Sequence, residues 1–309
     1  VQDPDLRVFD IIMHSDYGTS YNAYLVQGTE KTVLFETSKA KFFDEFLDNI
    51  RQVTDPAKID YIVVDHTEPD HAGALYELLK VAPNAVVYSS RPANGFLKEI
   101  LNRDFPAKVV KQGDEVDLGN LTLRFIDAPS LHWPDSIFTY IPELETLVSG
   151  DVFGYHYGKQ AVFAQEDEET AYDRRYYFDA IFGPYVQHVL SAVAKVGPLA
   201  ISTICPSHGI AWTKHIPEIL ALYKAWSAGE QEDTAAVVYD TMWHSTEQMA
   251  QAIADGFAAC GIKPRLYNLH YSHNSDIIAD AMTAKYIAVG SPTLNNNMMP
   301  SVASFLTYF

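Results

Sequence analysis

The segment from His66 to His71 places four side chains that can bind metal within six residues. It reads HTEPDH and follows, after the single residue Asp65, the apolar run 61–64, which is typical of a buried strand. Alternate residues of an extended segment point to the same side, so we expect His66, Glu68 and Asp70 to face one way, with His71 offset. This arrangement predicts a site for two adjacent metal ions. In the alternative interpretation the histidines only cap the next helix, but two imidazoles and two carboxylates this close would then repel or mispair without a cation.

Three more potential ligands each follow a separate apolar run of the kind that forms strands. His132, Asp151 and His208 come shortly after the runs 121–126, 146–150 and 200–204. A single histidine after a strand is usually structural, so none of the three would indicate a ligand alone. Together with the first segment they supply four histidines and three carboxylates. That set predicts two metal ions that share one bridging carboxylate and keep open positions for a substrate.

The ligand types indicate iron rather than zinc. Zinc sites favour histidine and thiolate, often with few carboxylates. Mixed sets of imidazole and carboxylate with open positions suit non-haem iron. No cysteine is among these residues, and the anionic oxygen of Glu68 would stabilise ferric iron.

The spacing of these ligands resembles that in the metallo-β-lactamase-fold domain of the flavodiiron proteins. Residues 131–136 (LHWPDS) and 19–26 (TSYNAYLV) are also similar to that family. The hydrolases of the same fold carry a second histidine at the position of Glu68, so this residue separates the two branches. The resemblance implies a complete ligand set for two irons. One iron would take His66, Glu68 and His132, the other would take Asp70, His71 and His208, and Asp151 would bridge them.

Length and composition narrow the class of protein. The chain has 309 residues, enough for two domains, and a hydrophobic content of 48% that supports sizeable cores. A net charge of −18 disfavours a nucleic-acid partner, because phosphate would be repelled. The sequence shows no signal peptide and no long apolar run, so we expect a cytoplasmic protein with no membrane partner. Cys205 and Cys260 form no Cys-x-x-Cys pair, which argues against a rubredoxin-type iron site in this chain.

Residues 1–230 show apolar runs of strand type alternating with segments of helical spacing. Strands from both halves of this region, with helices outside them, predict an αββα sandwich of the metallo-β-lactamase type. Within it, residues 179–196 and 216–227 each predict a long helix. The acidic run 167–169 is typical of an exposed turn.

The pattern changes at residues 229–233, a short polar stretch that we interpret as a linker. Beyond it, residues 235–239 form a continuous apolar run typical of a central parallel strand. A β-α-β-α-β order continues to residue 297, and right-handed crossovers would wind it into an open parallel sheet. We therefore predict a flavodoxin-like α/β domain over residues 234–309. Such a domain needs about five strands and the sequence supplies three, so we expect it to be truncated at its C-terminal end.

Two loops of this second domain are predicted to bind FMN. The first is rich in hydroxyl groups and leads into a helix, whose N-terminal N–H groups and dipole favour a phosphate. It has no Gly-x-x-x-x-Gly-Lys pattern, which disfavours a nucleoside triphosphate and leaves a monophosphate such as that of FMN. Ser and Thr at a helix start are also ordinary N-caps, but the second loop resembles the one that borders the flavin in flavodiiron proteins. The two loops comprise Thr241, Met242, Trp243, His244, Ser245 and Thr246, and Ser291, Pro292, Thr293, Leu294, Asn295 and Asn296.

The resemblance implies an oxidoreductase that uses FMN and two iron ions. FMN would take electrons from an external donor, such as a rubredoxin or a flavin reductase, and pass them to the irons. The irons would reduce oxygen to water, nitric oxide to nitrous oxide, or both, and so detoxify these gases. The family arrangement is a head-to-tail homodimer, or a dimer of such dimers, in which the FMN of one chain faces the irons of the other. Two other classes of protein remain as alternatives: a dizinc hydrolase and an electron carrier whose metal domain is vestigial.

Overall fold

The computed structural model of the chain describes residues 1–10, 12–159, 161–163 and 170–309. Its contacts form two compact units. The first unit comprises Val1–Leu6, Tyr17–Arg174 and Pro184–Ser227, and the second comprises Arg7–Asp16, Arg175–Gly183 and Ala228–Phe309. Segments 7–16 and 175–183 thus group with the second unit, and the domain boundaries 1–230 and 234–309 stay a prediction. The acidic run 167–169 lies outside the described residues.

The strands and helices are numbered here in chain order. The strands are β1 (Gln2–Asp3), β2 (Val8–Phe9), β3 (Met13–His14), β4 (Thr19–Ser20), β5 (Tyr24–Gln27), β6 (Thr32–Phe35), β7 (Tyr61–Val63), β8 (Val86–Ser89), β9 (Ala107–Val109), β10 (Glu115–Asp117), β11 (Thr122–Asp127), β12 (Ile137–Ile141), β13 (Thr146–Val148), β14 (Thr203–Cys205), β15 (Glu232–Tyr239), β16 (Lys263–Asn268) and β17 (Ala284–Gly290). The helices are α1 (Phe43–Arg51), α2 (Pro69–Ala72), α3 (Leu75–Val81), α4 (Arg91–Leu101), α5 (Ala171–Tyr177), α6 (Val186–Val196), α7 (Ile216–Ser227), α8 (Ser245–Ala259), α9 (Asn274–Thr283) and α10 (Pro300–Tyr308). Within the described residues, none of the helices combines the length and the apolar character needed to cross a membrane.

The first unit contains two sheets packed face to face. One sheet has the strand order β5-β6-β7-β8-β9 and is parallel except for the pair of β5 and β6. The other has the order β10-β11-β12-β13-β14 and is antiparallel except for the pair of β13 and β14. Side chains alternate between the two faces of a strand. In β6, Val33 and Phe35 therefore join a core shared with Phe125 of the second sheet, whereas Leu34 belongs to the core on the opposite face.

Helices cover the outer faces of both sheets. In α1 and α3, apolar residues at helical spacing, such as Phe46 and Leu78, are buried in the same core as Leu34. On the far side, Lys195 of α6 donates a hydrogen bond of 2.5 Å to the backbone carbonyl of Asp127 in β11. The predicted αββα layering of this region is confirmed.

The single helix predicted over residues 179–196 is wrong. The chain instead forms a π-helical turn, Phe178–Phe182, then a 3-10 turn, Gly183–Tyr185, and only then α6. Pro184 has no backbone N–H, and its ring would clash with the carbonyl four residues earlier, so a regular helix cannot pass through it.

The sheet of the second unit has β15 at its centre, in the order β16-β15-β17 with parallel pairing. Val237 and Tyr239 pack against α8, whereas Val238 packs against Ile277 of α9 and Phe305 of α10. Burial on both faces explains why the sequence of β15 is apolar without alternation. The flavodoxin-like order of parallel strands and helices is confirmed for the described strands.

The two cysteines differ in their expected reactivity. Cys205 ends β14 and is buried, and burial raises the pKa of its thiol to about 12, whereas Cys260 is exposed. Since the thiolate is the reactive form, we predict that a thiol reagent at mildly alkaline pH modifies Cys260 rapidly and Cys205 only after unfolding. Mass spectrometry of the labelled protein checks this. Rapid labelling of both cysteines in the folded protein would contradict the burial of β14.

Candidate metal centre

The HTEPDH segment follows β7 and continues into α2 in the first unit. Glu68 is the N-cap of α2, and Pro69 occupies the first helical position. Proline is favoured there because its fixed φ suits a helix and its missing N–H would have no partner in the first turn. Asp70 and His71 therefore belong to a helical turn, and the expectation that Asp70 shares a side with His66 and Glu68 is wrong. The four side chains divide into two pairs, His66 with Glu68 and Asp70 with His71.

The other three predicted ligands come from loops after strands of the second sheet. His132 lies between β11 and β12, Asp151 follows β13, and His208 follows β14. Since β13 and β14 are parallel neighbours, their carboxyl ends meet at one edge of the sheet. Gly150 has a φ of +53°, and a Cβ on it would lie 3.6 Å from the Cβ of Asp65, next to His66. This tight turn brings the loop that carries Asp151 against the segment after β7.

The first group of ligand atoms comprises His66, Glu68, His132 and one oxygen of Asp151. The Nε2 atom of His132 lies 3.0 Å from Oε2 of Glu68 and 2.9 Å from Oδ2 of Asp151. The Nε2 atom of His66 lies 3.4 Å from Oε2 of Glu68 and 3.6 Å from Oδ2 of Asp151. Atoms bound to one cation at about 2.1 Å stand roughly 3.0–3.4 Å apart in octahedral or tetrahedral geometry. The spacing therefore suits a single cation among these four residues.

The second group comprises Asp70, His71 and His208, and it faces the other oxygen of Asp151. The Nε2 atoms of His71 and His208 each lie 3.2 Å from Oδ2 of Asp70. The same two nitrogen atoms lie 3.0 Å and 3.5 Å from Oδ1 of Asp151. Asp151 thus directs Oδ2 to one group and Oδ1 to the other, which is the geometry of a carboxylate that bridges two cations.

The burial of these atoms tests whether a metal fits. His66, Asp70 and His71 are at most 2% exposed. The Nε2 atoms of both histidines and both carboxylate oxygens of Asp70 have no hydrogen-bond partner within the described residues. Buried polar atoms are normally hydrogen-bonded, because leaving them without a partner is costly. Cations at the two positions would satisfy these atoms, so the residues fit a pair of metal ions.

The electrostatics of the site also favour cations. Burial alone would raise the pKa of Glu68, but the adjacent imidazoles of His132 and His66 outweigh it and lower that pKa. Burial opposes protonation of His132, yet Asp151 and Glu68 raise the pKa of its imidazole to about 10. In both cases the carboxylates stay ionised and attract positive charge. A metal ion supplies that charge in place of the imidazole protons.

In the second unit, the two predicted flavin loops leave neighbouring strands. The first loop follows β15 and leads into α8, and the second follows β17 and precedes α10. Because Tyr239 at the end of β15 pairs with Gly290 at the end of β17, both loops start at the same edge of the sheet. In the first loop, Thr246 is buried, Thr241 is half-buried, and Met242, Trp243, His244 and Ser245 are exposed. In the second loop, Ser291, Pro292 and Leu294 are half-buried, and Thr293, Asn295 and Asn296 are exposed.

The first loop has features that suit an anion. His244 is the N-cap of α8, but its side chain makes no capping hydrogen bond. The N–H groups of the first helical turn therefore stay available for a phosphate. The hydroxyl oxygen of Thr241 is buried and has no hydrogen-bond partner within the described residues. These features fit the phosphate of a flavin nucleotide.

Comparison with known proteins agrees with both units. A family model described as "ODP family beta lactamase" matches residues 19–209, and one described as "Flavodoxin" matches residues 237–309. A nitric oxide reductase of Moorella thermoacetica is 41% identical over 295 residues, which cover 94% of this chain and 73% of that protein. The anaerobic nitric oxide reductase flavorubredoxin of Escherichia coli is 38% identical over 298 residues, which cover 94% of this chain and 62% of that protein.

Solved structures show the same likeness. The rubredoxin oxygen:oxidoreductase of Desulfovibrio gigas is 35% identical with a TM-score of 0.94, over 99% of this chain and 78% of that chain. The flavodiiron protein of Giardia intestinalis is 31% identical with a TM-score of 0.92, over 100% of this chain and 76% of that chain. This chain belongs to the flavodiiron proteins. The predicted family is thereby confirmed, and with it an oxidoreductase whose cofactors are FMN and a pair of irons.

Some residues that orient the ligands of this flavodiiron protein carry no signal in the sequence. The Nδ1 atom of His208 lies 2.6 Å from the backbone carbonyl of Ser20, so the ring donates there and presents Nε2 to the metal position. Glu36 is fully buried, has a φ of +62°, and places Oε2 3.6 Å from Nδ1 of His71. A backbone carbonyl and a glutamate that merely follows a strand cannot be recognised as supports before the fold is known.

The side chain of Asn22 supports the loop around His208. Its amide nitrogen donates hydrogen bonds of 2.9 Å to the backbone carbonyls of Pro206 and Gly209. The backbone N–H of Asn22 also donates to the carbonyl of Ser207, at 2.8 Å. The loop that carries His208 is thus held on both sides by one residue near the start of the chain.

Replacement of Asp151 by alanine tests the bridging geometry. We predict that Asp151→Ala loses metal from both positions. Each group of ligand atoms loses one carboxylate oxygen, and no side chain then bridges the two positions. Iron and zinc per chain are measured by elemental analysis after purification with adequate iron. The control is Asp104→Ala, which removes an exposed carboxylate in the same unit. Normal metal content in Asp151→Ala would contradict the assignment of Asp151 as the bridge.

Proposed function

We propose that this flavodiiron protein reduces oxygen to water, nitric oxide to nitrous oxide, or both, with electrons that an external donor delivers through FMN to the irons. The observation that carries the proposal is the position of Asp151, whose two oxygens face two separate groups of ligand atoms. The names of the relatives support both gases, since one is a nitric oxide reductase and another a rubredoxin oxygen:oxidoreductase. The chain spans 73% of one relative and 62% of another, so the activity, substrate and donor of the whole protein are all part of the proposal.

The proposed ligands follow the two groups seen in the first unit. One iron would bind His66, Glu68 and His132, the other would bind Asp70, His71 and His208, and Asp151 would bridge them. When bound, the iron pair supplies redox chemistry and open positions for a diatomic gas. The chain contributes three carboxylates, whose negative charge stabilises the oxidised state of the metals.

Differences in exposure among the proposed ligands indicate the side from which a gas arrives. The side chains of His132 and Glu68 are 18% and 11% exposed, whereas those of His71 and His208 are 0% and 1% exposed. The site therefore opens beside His132 and Glu68 and is closed behind the other group. A small gas can enter on the open side, and the buried histidines keep bulk water from the far side.

FMN is proposed to bind at the edge of the sheet in the second unit. The hydroxyl groups of Thr241, Ser245 and Thr246 and the N-terminal turn of α8 would hold its phosphate, and residues 291–296 would border the ribityl chain and the ring. The proposed assembly is a head-to-tail homodimer or a dimer of such dimers. The proposed donor is a rubredoxin-type protein, in keeping with the name of the Desulfovibrio gigas relative.

Gas consumption by the iron-loaded protein tests the function. With a chemically reduced rubredoxin as donor, we expect consumption of nitric oxide under anaerobic conditions, of oxygen under aerobic conditions, or of both. We expect Asp151→Ala to lower the rate at least about tenfold, and Asp104→Ala to match the unaltered protein. Hydrolysis of an ester or a lactam by the zinc-loaded protein, without gas consumption by the iron-loaded protein, would show that the chain is a dizinc hydrolase instead.

The flavin site is tested by removing hydroxyl groups from the first loop. We predict that the double change Ser245→Ala with Thr246→Ala weakens FMN binding about tenfold or more, because hydrogen bonds to a charged group contribute about 1.5–3 kcal/mol. Quenching of flavin fluorescence on binding gives the affinity. The matched control is Ser304→Ala on α10, which removes an exposed hydroxyl outside both loops. Unchanged affinity in the double variant would place the phosphate elsewhere.

A further inference from the structure

The loop that carries Asp151 contains a residue in an unfavourable backbone conformation. Phe153 has a φ of +70°, in the left-handed region that residues other than glycine rarely adopt. Its side chain is 1% exposed, so Phe153 is a packed residue and not part of a surface turn. Gly150, on the other side of Asp151, also has a positive φ, of +53°. The bridging carboxylate therefore lies between two left-handed residues, and the conformation of Phe153 is costly unless the surrounding structure imposes it.

Hydrogen bonds inside the loop connect the residues on either side of Phe153. The backbone N–H of Val152 donates to the carbonyl of Ser149 at 3.2 Å, and that of Gly154 donates to the carbonyl of Asp151 at 3.0 Å. The hydroxyl of Ser149 also donates to the carbonyl of Val152, at 2.7 Å. The backbone groups of Phe153 instead bond to residues outside the loop, so the conformation of Phe153 depends on distant parts of the chain.

Two buried side chains hold the backbone of Phe153. The phenolic oxygen of Tyr223, on α7, accepts a hydrogen bond of 3.0 Å from the N–H of Phe153. The indole N–H of Trp212 donates a hydrogen bond of 2.8 Å to the carbonyl of Phe153. Tyr223 and Trp212 are 1% and 2% exposed, and the ring centroids of Tyr223 and Phe153 lie 4.7 Å apart. We call Tyr223 and Trp212 the loop clamp.

Trp212 also links the Asp151 loop to the segment that carries His208. Its backbone pairs with Ile204 of β14 through hydrogen bonds of 2.8 Å and 2.9 Å. A Cβ on Gly154 would lie 2.9 Å from the carbonyl oxygen of His208, so the two loops touch and leave no space for a side chain there. The loop clamp therefore holds the Asp151 loop against the part of the chain that supplies a ligand of the second group.

General stabilisation of the fold is the alternative role for these two hydrogen bonds. Buried backbone groups are normally paired, and a purely structural pair would affect folding without affecting the metal centre. Here, however, both bonds converge on Phe153, the one non-glycine residue of the described loop 149–154 with a positive φ. That residue lies only two positions after Asp151, so a change in its backbone acts directly on the bridging carboxylate.

We propose that Tyr223 and Trp212 are positioning residues for the metal centre, which keep Phe153 left-handed and so hold the carboxylate of Asp151 between the two groups of ligand atoms. This inference rests on the proposed role of Asp151 as the bridge. Without the loop clamp, Phe153 relaxes to an ordinary φ, and the two oxygens of Asp151 move from their places 2.9 Å from Nε2 of His132 and 3.0 Å from Nε2 of His71. Residues that orient metal ligands in this way determine metal affinity along with the ligands themselves.

The change Tyr223→Phe tests the loop clamp, because it removes only the hydroxyl that accepts from Phe153. The iron affinity of the full chain is measured by competition with a chelator. We expect Tyr223→Phe to weaken iron binding about 10–100-fold, the effect typical of residues that orient metal ligands. The matched control is Tyr140→Phe in the same unit, which removes a hydroxyl that donates to the backbone carbonyl of Ala200 at 2.6 Å. It should bind iron like the unaltered protein, although it also loses a hydrogen bond to the backbone.

A spectroscopic measurement separates positioning from folding. The electron paramagnetic resonance signal of the half-reduced iron pair depends on the coupling of the irons through their bridge. At full iron occupancy that signal should shift in Tyr223→Phe and stay unchanged in Tyr140→Phe. A second variant, Trp212→Phe, keeps a ring but loses the N–H, and it should change the affinity and the signal in the same direction.

The outcomes distinguish this inference from the proposed function on which it rests. Loss of metal from Asp151→Ala, together with iron affinity and a resonance signal in Tyr223→Phe that equal those of Tyr140→Phe, would overturn the positioning role. Normal metal content in Asp151→Ala would instead overturn the bridge itself, and the positioning role would fall with it.

Discussion

One carboxylate between two buried groups of ligands is the constraint on which the first unit depends. Asp151 directs Oδ2 toward His132 and Oδ1 toward His71. Charged groups are costly to bury unless they are paired, so the surrounding chain must place every partner within a few ångströms. The helix that starts at Pro69 and the turn at Gly150 serve this requirement.

The two-sheet architecture follows from the same constraint. Neither sheet alone supplies a complete set of ligands, because the HTEPDH segment follows a strand of the first sheet and the other ligands follow strands of the second. The shared core, which includes Phe35 of one sheet and Phe125 of the other, holds the two sheet edges together. Packing between the sheets therefore determines the distances between the metal-binding atoms, and the outer helices stabilise that packing.

Most of the layout could be predicted from the sequence because it depends on local pattern. The apolar runs of β7 and β15 and the clustered ligands after β7 are recognisable without a fold. The side on which Asp70 lies is harder to predict from the sequence, because it depends on whether the chain stays extended or turns into a helix at Pro69. The supports of the imidazoles could not be predicted, because Ser20 acts through a backbone carbonyl and Glu36 reaches His71 only in the folded chain.

The hydrogen bonds from Asn22 to the loop around His208 have a consequence for when the metal-binding residues come together during synthesis of the chain. Along the chain, the first group of metal-binding residues is complete once Asp151 has emerged, whereas the second group waits for His208. The loop of His208 is then fixed only when it docks on Asn22, a contact that spans most of the first unit. The second group of ligand atoms therefore cannot be complete before residue 208 has been synthesised and its loop has docked against Asn22.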